Sequence, residues 1–123
     1  MSETTVSQLL KAFNQKPVAY QRIYSQITGS VTAGLLLSQM VYWWYANQER
    51  EFYKTDSNFS EELGMGGSEF RSAKAVLKKL ELIIIEIKQI PAKTHYRVNI
   101  DKLTELITSL PKIDKLVYRK SRN

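Results

Sequence analysis

Val6, Leu9, Leu10 and Phe13 recur at intervals of three and four, which predicts a short amphipathic helix over residues 5–14. Pro17 opens a new element in which Tyr20, Ile23, Tyr24 and Ile27 repeat that period, and Gly29 closes it. Ser30 is placed to cap the next helix, which runs to about Asn47 and is apolar on most sides. Other elements must surround such a helix. A polar turn, Gln48 to Glu51, leads into the strand candidate Phe52-Tyr53-Lys54-Thr55. Thr55 is an N-cap candidate for a helix over Asp56–Leu63, with Phe59 and Leu63 one turn apart on its buried face. Asp56 near that start also suits the helix dipole. Gly64-Met65-Gly66-Gly67 breaks the chain, and Ser68 is expected to cap a second helix running to about Leu80.

Beyond Leu80 the period changes. Leu82 to Lys88 is rich in isoleucine and too β-branched for a comfortable helix, and Gln89-Ile90-Pro91-Ala92-Lys93 reads as a turn. Thr94, Tyr96, Val98 and Ile100 then alternate with His95, Arg97 and Asn99, so the two runs predict a β-hairpin with one buried face. A last helix spans Asp101 to about Ser109, carrying Leu103, Leu106 and Ile107, and Pro111 stops it. The order is helices, short strand, two helices joined by a glycine-bearing turn, hairpin, helix. It predicts a mainly α fold with a small β wing (α+β), a winged helix-turn-helix with extra N-terminal helices. Residues 1–110 would form that domain. Residues 111–123 would form a basic tail, with Lys112, Lys115, Arg119, Lys120 and Arg122 around Leu116, Val117 and Tyr118. The tail reads equally as a phosphate-binding arm or a solvated end.

Composition excludes several classes of function. A length of 123 residues fits one domain, and 43% hydrophobic residues suffice for a core. Cysteine is absent and His95 is the lone histidine, so neither a disulfide framework nor a thiolate zinc site is expected, and no cofactor or metal. No nucleophile constellation is available. Glu49, Glu51, Asp56, Glu61 and Glu62 fall on turns and outer helix faces, and the glycines at 64–67 lack the lysine and preceding parallel strand of a phosphate loop. The chain is therefore not expected to be an enzyme. No signal peptide is visible, and the apolar run Val31–Ala46 falls short of the roughly 20 residues of a membrane span. A buried helix and a cytoplasmic location are expected instead, with no membrane partner.

The net charge is +6, and its distribution says more than its size. Residues 1–50 carry +2, 51–70 carry −4, 71–100 carry +5 and 101–123 carry +3. Positive charge concentrated in the second half fits a face built for phosphates, or ordinary solubilising charge. On a helical wheel of residues 68–80, Phe70, Ala73, Leu77 and Leu80 share the face that must pack. Ser68, Arg71, Ser72, Ala75 and Lys79 lie opposite, flanked by Lys78, while Lys74 sits near the core edge and can snorkel. Arginine grips guanine in bidentate fashion, serine reads either pair and lysine reaches phosphate, so this face suits the major groove of double-stranded DNA. Ser68, Arg71 and Ser72, in the N-terminal half, are the candidates for base contacts. Lys88, Lys93 and Arg97 on the hairpin would add affinity along the backbone or minor groove. His95 is read as an edge-strand residue in preference to a pH-sensitive contact.

Several segments carry a more specific likeness. Gly29-Ser30-Val31, Leu37-Ser38-Gln39-Met40-Val41-Tyr42-Trp43 and Phe52-Tyr53-Lys54-Thr55 form its first half. Glu62-Leu63-Gly64, Arg71-Ser72-Ala73-Lys74, Leu77-Lys78-Lys79-Leu80 and Pro91-Ala92-Lys93-Thr94-His95-Tyr96-Arg97-Val98-Asn99 complete it. In this order, over about residues 18–103, the chain resembles the N-terminal domain of phage and plasmid replication proteins, which are related in style to primosomal helicase loaders. The resemblance implies a winged helix that binds DNA in replication initiation or transcriptional control. It departs from the family at Glu81, where a glycine usually ends the recognition helix in a left-handed turn, and in the glycine-rich Met65-Gly66-Gly67. Family members also generally continue into a further domain, whereas this chain stops at Asn123. The rival expectation is a phage-encoded protein-binding module that inhibits host machinery, for example an anti-CRISPR protein. It would engage a host or phage protein through the aromatic helix or the acidic 48–62 segment. The cluster Tyr42, Trp43, Trp44, Tyr45 also leaves room for a homodimer.

Overall fold

Polar residues at the ends of apolar runs decide where the helices begin. In the computed structural model, which describes residues 5–13, 15, 17–88 and 92–110, Thr5 and Gln8 form a reciprocal capping box on α1 (Val6–Ala12). The second helix, α2 (Arg22–Thr28), starts later than the Pro17 signal implies. The residue before it, the N-cap Gln21, is tied to another element, its amide donating to Ser38 Oγ at 3.0 Å. Ser30 caps α3 (Val31–Ala46) as expected. After β1 (Phe52–Tyr53), Thr55 and Asn58 form a second capping box on α4 (Asp56–Leu63). Each side-chain cap of this kind stabilises its helix by about 1 kcal/mol.

The next helix corrects the sequence reading. Ser68 does not cap it: α5 spans Gly67–Lys79 with Gly66 as N-cap, and Glu69 Oε1 accepts the Gly66 N–H at 3.1 Å. Ser68 therefore lies in the first turn, inside the helix. The hairpin follows as β2 (Ile83–Lys88) and β3 (Lys93–Val98), and α6 (Ile100–Thr108) begins at the Asn99 cap. Ile100, expected as the last strand residue, is thus the first helical one. Residues 89–91 of the turn and the tail from 111 lie outside the described residues.

The whole is mainly helical with a small three-stranded antiparallel sheet, an α+β arrangement. Strand order is β1-β3-β2, with Phe52 opposite Tyr96 on one side of β3 and Ile85 opposite it on the other. β1 thereby covers the outer side of the hairpin, and His95 lies on the central strand, not at an edge. Tyr96, Val98, Phe52 and Ile83 point into the core, as the alternation requires.

α3 occupies the middle of the domain, as its all-round apolar character demands. Ala33, Leu36, Leu37 and Met40 are fully buried, packed by α2, α5 and β3. Its buried Ser38 and Gln39 are hydrogen-bonded, Ser38 Oγ donating to the Gly34 carbonyl at 2.9 Å while accepting from Gln21, whereas the buried Trp44 indole N–H has no partner among the described residues. Gly34 is the point where α2 and α3 touch backbone to backbone. A Cβ there would meet Ser25 N at 2.6 Å and Ser25 Cα at 2.8 Å. Trp44 is buried and Trp43 partly so, whereas Tyr42 and Tyr45 are exposed. Among the described residues no helix is long and apolar enough to cross a membrane.

The exit from α5 resolves the departure at Glu81. Leu82 N–H bonds Leu77 O and Glu81 N–H bonds Lys78 O, both at 3.0 Å, which closes the helix as a Schellman motif. That motif needs a left-handed residue, and Glu81 supplies it at φ 60° without being glycine. Asn99 holds the turn from the far side, donating its amide N–H to Leu82 O and its Nδ2 to Glu81 O. A residue with a Cβ costs about 1 kcal/mol in this region. Glu81→Gly is therefore expected to raise stability by about 1 kcal/mol in a urea melt. An unchanged or lower midpoint would mean that the strain is absent.

Candidate nucleic-acid interface

Four aromatic rings lock α5 in place. Phe59 of α4 stacks on Phe70 of α5 with centroids 5.9 Å apart and meets Tyr96 of β3 edge-on at 5.5 Å. Phe52 of β1 stacks on Tyr96 at 5.8 Å. With Ala73 and Leu77 also buried, the inner face of α5 is committed to the core, and Leu80 is half-buried at its end. This leaves the outer face fixed in direction. Ser68, Arg71, Ser72, Ala75, Lys78 and Lys79 are all exposed on it, as the wheel predicts.

Two acidic residues fasten α4 beneath this face. Asp56 Oδ1 accepts from Lys74 Nζ and from Tyr96 Oη, each at 3.1 Å. Lys74 runs along the core edge to reach it, with its ammonium 5.2 Å from the Tyr96 ring centroid, so the snorkelling expectation is met. Burial, then the Asp56 charge, raises the Tyr96 phenol above its ordinary pKa. Glu62 gathers a second set. Gln39 Nε2 donates to it at 2.8 Å and Trp43 Nε1 at 3.0 Å, and Lys54 forms an ion pair with it. The Lys54 ammonium also sits 4.0 Å above the Trp43 ring centroid.

The cations thus divide into two kinds. Lys54, Lys74, Lys88 and Lys102 are ion-paired within the domain. Among the described residues Arg71, Lys78, Lys79, Lys93 and Arg97 have no ion-pair partner. Lys88 therefore differs from its expected role as a free hairpin cation. Glu51 binds it, and that hydrogen bond raises the Lys88 pKa while lowering that of Glu51. Lys93 and Arg97 are exposed, on the outward side of β3. The Arg71 guanidinium lies over the helix start, where a Cβ on Gly67 would be 3.2 Å from Nη1. A larger residue at 67 would push that guanidinium away.

Sequence reasoning missed Tyr53. It is exposed on the outer side of the sheet, with its ring 5.8 Å from His95 and 5.1 Å from Lys93 Nζ. An aromatic ring beside a lysine on the outer side of a sheet can pack on a sugar or base. The signal was present in the alternation Phe52 in, Tyr53 out. The acidic 48–62 segment changes character too, since Glu51, Asp56 and Glu62 are all engaged internally. Comparison with family models, with curated proteins and with solved structures finds no match for this chain.

Proposed function

We propose that this chain is a winged-helix protein that binds double-stranded DNA, with α5 in the major groove and the β2–β3 hairpin as the wing on the neighbouring backbone. The observation that carries the reading is the outer face of α5. Its cations Arg71, Lys78 and Lys79 are exposed and outside every internal ion pair among the described residues, while small residues Ser68, Ser72 and Ala75 leave room for base edges. The opposite face is rigidly packed, so these groups are presented at little ordering cost. Lys93, Arg97 and Tyr53 on the sheet supply sequence-independent contacts. The resemblance of its motif series to phage and plasmid replication proteins favours a role in a mobile genetic element, in replication initiation or transcriptional control.

Selection of binding sites from a random duplex pool tests the division of labour. Arg71→Ala is expected to weaken binding to the selected site about 5- to 150-fold, corresponding to 1–3 kcal/mol for a lost bidentate base contact, and to relax the preference at one position. Lys79→Ala should weaken all duplexes alike. Equal effects of both substitutions on every sequence would remove Arg71 from the reading head.

A further inference from the structure

We infer that two copies of this chain associate through α1, the stripe Val6, Leu9, Leu10 and Phe13 of one copy seating in a groove of the other. Among the described residues the stripe stands largely open. Those four side chains are 47–75% exposed and α1 has no buried residue. A helix of 7 residues is too short to hold its shape alone in water, where isolated helices below about 12–15 residues are marginal. Its single capping box does not make up the difference.

The receptor lies on the same chain. A groove of about 810 Å³ runs between the segment before α2 and the α3–α4 side, walled by Pro17, Val18, Ala19, Tyr42 and Trp43. Phe13 reaches its rim, whereas Val6, Leu9 and Leu10 do not line it. The chain therefore carries both an apolar stripe and a trough with an apolar wall and a polar edge of Gln15, Gln39, Glu61 and Glu62, and its own stripe enters its own trough by one residue only. Charge selects the same pairing. α1 contributes the cation Lys11 and no acidic residue in its first turn, while the groove is edged by Glu61 and Glu62. Glu62 is already held by Lys54, which leaves Glu61 as the carboxylate facing an incoming helix. Reciprocal exchange gives a closed two-fold dimer in which each patch is used twice.

Sedimentation velocity of the full chain without DNA tests this, so its outcome is independent of the DNA reading. Over about 1–100 µM, the weak end of the µM-to-pM range of specific interfaces, the wild type is expected to pass from monomer to dimer. Leu9→Glu/Leu10→Glu should stay monomeric and, at concentrations where the wild type is also monomeric, keep its thermal melt, because both positions are exposed. Lys11→Glu and Glu61→Lys should each weaken the dimer several-fold, and the two together should restore it. A wild type that stays monomeric throughout overturns the proposal, as does a dimer that survives the Leu9/Leu10 change. Failure of the double charge reversal to restore association would remove the groove as the receptor.

Discussion

Alanine in place of Gly34 is expected to destabilise the protein by about 3 kcal/mol or more. The added carbon would lie inside contact distance of the Ser25 backbone, at 2.6 Å from N and 2.8 Å from Cα, so no side-chain rotation relieves it. α2 must move off α3, which disturbs the Gln21–Ser38 hydrogen bond and the packing of α2 on the central helix. For a domain of this size each kcal/mol shifts Tm by roughly 4 °C, so a fall of about 12 °C or more is expected in thermal melts. Gly29→Ala is the control. Its Cβ meets nothing within 4 Å, but φ is 73°, so only the left-handed penalty of about 1 kcal/mol applies. Similar losses for the two substitutions would mean that the helices do not approach as closely as described.

Glu62→Ala is the second large effect, expected at about 3 kcal/mol. It leaves the Gln39 amide, the Trp43 indole N–H and the Lys54 ammonium without their shared acceptor. Gln39 is buried and the Lys54 side chain is only 13% exposed. The same site gives the protein a dependence on acid. Burial pushes the Glu62 carboxyl up, but hydrogen bonds from Lys54, Gln39 and Trp43, with the Lys54 charge, outweigh it and hold the pKa below the ordinary value. With the folded value below the unfolded one, the stabilisation is complete above the unfolded pKa of about 4.3. It is then lost as pH falls through the folded value. Urea melts from neutral pH downward should therefore show stability declining below about pH 4.5, and Glu62→Gln should flatten that decline. An acid limb of the same steepness in the variant would assign it to other carboxylates.

The legible parts of this fold were those where one local signal sufficed. Ser30 and Thr55 are helix caps because a short polar side chain stands just before each helix, and the alternation through Tyr96 and Val98 placed the hairpin, whereas the cap at Asn99 was read as strand. The wheel over 68–80 sorted α5 correctly because its inner face has one job. Long-range pairing was harder to read. Nothing local indicates that β1 joins β3, that Asp56 meets both Lys74 and Tyr96, or that Glu62 collects donors from α3 and from Lys54. Lys88 illustrates the consequence: its position on the hairpin was correct, but its partner Glu51 is 37 residues away in sequence. Ser68 failed as a cap for a smaller reason. Gly66 already had an acceptor in Glu69, so the helix could begin two residues earlier.

The DNA reading rests on α5, and the salt dependence of binding tests it most directly. Fluorescence anisotropy with a mixed-sequence duplex should give an affinity falling steeply with salt, with a log–log slope near −0.9 for each phosphate contacted. Arg71→Ala/Lys79→Ala should weaken binding and flatten that slope by about one phosphate contact or more. Absence of binding even at low salt would contradict the account and direct the search to a protein partner. So would binding that ignores the substitutions on α5.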